Sequence, residues 1–185
     1  MKNEILKSSE ISKAKKQLKE KGFFLYEKAY DKKFCLEVID FINSTRNKED
    51  VEINYSGSEK RIWKSHTKNN LINEFYNDSS LLFSRIFKKD VKPFDILSIK
   101  NSPIEKENEK DITGRWHMDS FRSQFKTFLF LNDVTTENGA FEFIPSTHSL
   151  FFRLKFALKY NLIFSSKLFS QNGARPYQSI SDKKI

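Results

Sequence analysis

The chain has 185 residues, 38% of them hydrophobic and 31% charged, and its 19 phenylalanines supply much of the apolar bulk. That suffices for one packed domain over residues 1–185, is too little for two, and excludes an intrinsically disordered chain. The formal charge is +9, yet lysines interleave with acids from Lys13 to Lys21 and from Asn101 to Asp111 without forming a basic stripe, which argues against a nucleic-acid partner and would suit an anionic small-molecule substrate.

Cys35 is the single cysteine and lies in the apolar run Phe34–Ile42, so it reads as a small buried hydrophobe with no internal disulfide. Met1–Glu10 lacks the apolar centre of a secretory signal, and no stretch reaches the length of a membrane span. A cytoplasmic protein with no membrane partner is therefore expected.

In chain order, Ser9–Lys21 is charged and helix-prone, with Ser9 or Ser12 as candidate caps and Gly22 as the stop. Phe23-Phe24-Leu25-Tyr26 suits a short strand, and Asp31 is placed to cap an amphipathic helix running through Ile42. Asn43–Asn70 is polar and broken by Gly57; Leu71–Phe87, with Leu71, Phe75, Leu82, Phe83 and Ile86 spaced by threes and fours, predicts a further helix closed by Pro93. Phe94–Lys100 reads as a strand leading into an exposed charged loop, Asn101–Asp111.

Thr113–His148 is the most strand-like region: Gly114–Asp119, then Gln124–Val134, then Ala140–Ile144 before Pro145, with Asn138-Gly139 as a hairpin signal. Leu150–Phe169 is apolar but punctuated by Arg153, Lys155, Lys159 and Lys167, as suits a helix covering a sheet; contact with a membrane surface is the weaker alternative. Helices first and short strands later predict an α+β protein built on an antiparallel sandwich or barrel.

His117 and Asp119 stand two apart in a strand-like segment, so both side chains emerge on one face, with Trp116 and Met118 on the other. An imidazole and a carboxylate so placed supply two corners of a facial triad that leaves iron(II) three open positions; alternatively, His117 is a hydrogen-bonded core histidine. Phe128, mid-strand, reads as a core aromatic. His66 reads as exposed or at the mouth of a site, His148 as a turn or pocket-edge residue, and Arg175, beside Gly173 and Pro176, as a surface residue.

The tract Trp116-His117-Met118-Asp119, the run Phe125–Asp133, and Glu137-Asn138-Gly139-Ala140-Phe141-Glu142-Phe143-Ile144-Pro145-Ser146-Thr147-His148 together resemble the central block of the phytanoyl-CoA dioxygenase family in order and spacing. Glu20–Leu25 followed by Asp31–Cys35 resembles that family's amino-terminal segment, so the likeness spans about Leu18 to His148. It implies a double-stranded β-helix, or jelly roll, with amino-terminal helices. It also implies iron(II) held by His117 and Asp119, with 2-oxoglutarate as co-substrate and Phe128 lining its pocket. The activity implied is hydroxylation of a small organic substrate.

The family's second histidine ligand and its 2-oxoglutarate-binding arginine would fall in strands beyond Ile185, so the jelly roll is expected to lack its closing strands. An incomplete, non-catalytic binding module is the alternative. Ser146 stands where the family usually has glycine, which brings any positive φ at that turn into question.

Overall fold

The computed structural model describes residues 7–47, 49–54, 57–102, 124–138 and 140–159. Among them the architecture is α+β, as the element order predicts. Four α-helices, α1 (Ser8–Glu20), α2 (Lys32–Ser44), α3 (Asn70–Phe87) and α4 (Leu150–Lys159), accompany three short strands, β1 (Val51–Asn54), β2 (Glu59–Ile62) and β3 (Ser98–Asn101). The strands form one antiparallel sheet in the order β1-β2-β3, with Val51 opposite Ile62 and Lys60 opposite Lys100.

The helices start and stop for identifiable reasons. Asp31 accepts the Phe34 N–H at 2.8 Å and so caps α2. Asn69 does the same for α3 through the N–H groups of Leu71 and Ile72, at 2.9 and 3.1 Å. Neither Ser9 nor Ser12 caps α1; the helix already begins at Ser8, and Lys7 at the cap position makes no side-chain cap bond.

α1 ends as its glycine predicts, with Gly22 at φ +87° and its N–H reaching back to the carbonyls of Gln17 and Leu18. α3, in contrast, is not closed by Pro93. It ends earlier, at Lys88, which takes the left-handed conformation (φ 54°), while the Ser84 hydroxyl holds the Val91 N–H at 2.9 Å and steers the chain away.

The core has two parts, and α3 contributes to both. Phe34, Val38 and Ile42 of α2 meet Ile62 of β2 and Ile72 of α3, and Leu129 and Leu131 pack against this group from the edge. Ile11 and Ala14 of α1 meet Ile86 near the other end of α3, joined by Phe24, Leu82, Phe83 and Phe87. Ile62 is fully buried, and each such side chain contributes about 1.5–3 kcal/mol by leaving water.

Strand expectations fare unevenly. The sheet includes the hairpin β1–β2, which lies in the stretch read as polar, whereas Phe94–Lys100 yields a strand only from Ser98. Phe23–Tyr26, Gln124–Val134 and Ala140–Ile144 take part in no ladder among the described residues. A 3-10 turn spans Thr136–Asn138 and is secured by Asn138, whose Oδ1 accepts from the Thr135 N–H at 2.7 Å and whose Nδ2 donates to the Asp133 carbonyl at 3.0 Å. Gly139, Gly114–Asp119 and most of the loop Asn101–Asp111 lie outside the described residues. No helix among the described residues is long and apolar enough to cross a membrane.

Candidate functional site

His117 and Asp119, the two expected metal ligands, lie outside the described residues, as does Arg175. Phe128 is described. The residue is 53% exposed and its ring packs against Phe141 with centroids 5.0 Å apart, so the segments on either side of the Thr136–Asn138 turn approach one another through an aromatic pair rather than a hydrogen-bonded ladder. Phe128 is thus exposed rather than buried.

His148 has a structural assignment. The turn 145–148 docks on the carboxyl end of α1, where the last carbonyls of a helix lack partners of their own. His148 Nε2 meets the Lys19 carbonyl at 3.1 Å, the Ser146 N–H donates to the Lys21 carbonyl at 3.2 Å, and the Ser146 hydroxyl reaches the Glu20 carbonyl at 3.5 Å. Ser146 takes φ 68°, so the turn does use the left-handed backbone for which glycine is favoured, and a serine bears its cost. For Nε2 to donate to a carbonyl it must carry the proton, which in a neutral ring leaves Nδ1 bare beside Gly22. His148 thus holds a turn to a helix.

His66 is half-buried rather than exposed. Its ring stacks on Tyr76 (centroids 4.5 Å apart, planes 7° apart), and its buried Nδ1 lies 3.5 Å from Asp95 Oδ1, beyond good hydrogen-bond reach. That Asp95 oxygen instead accepts the Ile96 N–H at 2.7 Å, and Tyr76 donates to the Pro93 carbonyl at 3.0 Å. Beneath the pair, buried Ser65 donates to the Ile96 carbonyl at 3.1 Å and accepts from Ser98 at 2.9 Å. These contacts fasten the 3-10 turn Ser65–Thr67 to the approach to β3.

Three further polar contacts carry weight that sequence reasoning missed. Tyr30 donates to Asp78 Oδ2 at 2.6 Å and stacks on Phe34; burial, then the Asp78 hydrogen bond and charge, push its phenol far above the ordinary value of 10.0. Lys60 reaches from β2 to the carbonyls of Ile42 and Thr45 at the carboxyl end of α2, and Lys100 reaches Asn43 Oδ1 at 2.8 Å; desolvation, then the charges of Lys100 and Arg46, lower the Lys60 pKa. Glu52 accepts from Trp63 Nε1 at 2.6 Å and from Asn54 at 2.9 Å, and these bonds hold its carboxyl below the ordinary value of 4.5. Each pairs residues whose meeting only the fold decides.

Among the described residues no group of three or more His, Cys, Asp or Glu is placed to hold a metal ion. Cys35 is half-buried, and burial raises its thiol pKa, which suits a packing residue rather than a nucleophile. A shallow open groove beside the amino end of α3, lined by Glu37, Lys68, Asn69, Asn70 and Leu71, is mostly polar and lacks the apolar walls of a small-molecule pocket. No protein-family model, curated protein or solved structure matches the chain.

Proposed function

We propose that this chain is an iron(II)- and 2-oxoglutarate-dependent oxygenase of the phytanoyl-CoA dioxygenase type, acting on a C–H bond of a small organic substrate. The observation that carries the reading is the block from Trp116 to His148: a His-x-Asp pair, an aromatic-rich run and an Asn-Gly turn, in the order and at the spacing of that family. Phe128 and Phe141 in contact across the turn are compatible with two neighbouring strands of a jelly roll, which is the fold we assign to this region.

His117 and Asp119 would hold the metal. The described histidines do not compete for that role: His148 is committed to the Lys19 carbonyl and His66 lies flat on Tyr76. Bound iron would supply oxygen activation and oxidation of the substrate, which no side chain can perform alone. The chain's own part is narrower. The His117 imidazole and the Asp119 carboxylate would hold the metal, Phe128 would exclude water beside the co-acid, and the net charge of +9 would favour anionic reactants. The family's second histidine and its co-substrate arginine have no counterpart in the resembling stretch from Leu18 to His148.

The test is turnover of the co-substrate. Purified chain supplied with iron(II), oxygen and 2-oxoglutarate should form succinate, and the His117→Ala and Asp119→Ala variants should not. Succinate formation equal in the wild type and both variants would remove this reading.

A further inference from the structure

We draw no further inference here: the strongest candidate, the exposed apolar face of α4 formed by Leu150, Phe151, Leu154 and Leu158, carries nothing, because nothing in the structure shows what covers it.

Discussion

The imidazole of His148 fills the space that a side chain at Gly22 would need, so the end of α1 and the turn after Ile144 fit together only because residue 22 has none. Gly22 is also in the left-handed region, at φ +87°, which compounds the constraint. Gly22→Ala should therefore destabilise the chain by about 2 kcal/mol or more, seen as a lower urea midpoint with an unchanged slope. Lys88→Gly is the converse case. Lys88 ends α3 at φ 54°, and replacing it should raise stability by roughly 1 kcal/mol.

Tyr30 and Asp78 give an alkaline prediction. The phenol is held protonated well above its unfolded value, so the native state binds the proton longer than the unfolded state does. The stabilisation is complete below the ordinary tyrosine range and is lost as pH rises above it toward the folded value. Titrated by phenolate absorbance while still folded, wild type and Tyr30→Phe should show equal amplitudes. In neutral buffer Tyr30→Phe should cost about 1.5–3 kcal/mol, because a part-buried carboxylate loses its donor.

Glu52 gives the acidic counterpart. Its carboxyl is depressed, first by the Trp63 bond and then by that of Asn54, so the contribution is present above the unfolded value and is lost as pH falls through the folded one. With Trp116 replaced by Phe, the emission of Trp63 should titrate with a midpoint below 4.5, and Glu52→Gln should abolish the step.

Lys60 works in the opposite sense. Its folded pKa is lowered by desolvation, Lys100 and Arg46, so the unfolded state binds the proton more tightly, and this penalty fades as pH rises toward the ordinary lysine value. The bonds from its ammonium to the carbonyls of Ile42 and Thr45 still hold the end of α2, and Lys60→Met should lower stability at neutral pH by roughly 1–2 kcal/mol. Hydrogen exchange should then report earlier opening at Phe41–Ser44.

Local signals were legible and distant pairings were not. The Asp31 cap, the glycine stop at residue 22 and the apolar spacing of α3 could be read because each acts within one or two helical turns. The hairpin β1–β2 was invisible because β2 reads Glu59-Lys60-Arg61-Ile62, and its charged residues are accommodated by partners: Arg61 Nε stands 2.7 Å from Glu59 Oε1, and Lys60 reaches α2. Phe23, by contrast, looks like a strand residue yet uses its ring on Phe143, 5.4 Å away edge to face, with no ladder. For His66, the stacking on Tyr76 and the proximity of Asp95 depend on how α3 and the approach to β3 fold back, which no local pattern encodes. Of the candidate site, Phe128 is the part the structure describes.

Phe128 links the fold to the proposed chemistry. Its ring pair with Phe141 is exposed, so Phe128→Ala should cost no more than about 1.5 kcal/mol of stability. If the residue lines the co-substrate pocket, the same variant should weaken 2-oxoglutarate binding at least tenfold, measured by anaerobic calorimetry.

The central claim is that His117 and Asp119 hold iron(II) beside 2-oxoglutarate, and it is tested most directly by anaerobic titration of the purified chain with both, monitored by visible absorbance. The account predicts a weak charge-transfer band that saturates with each component and is absent from the His117→Ala and Asp119→Ala variants. No band in the wild type, or a band that survives both substitutions, would contradict it.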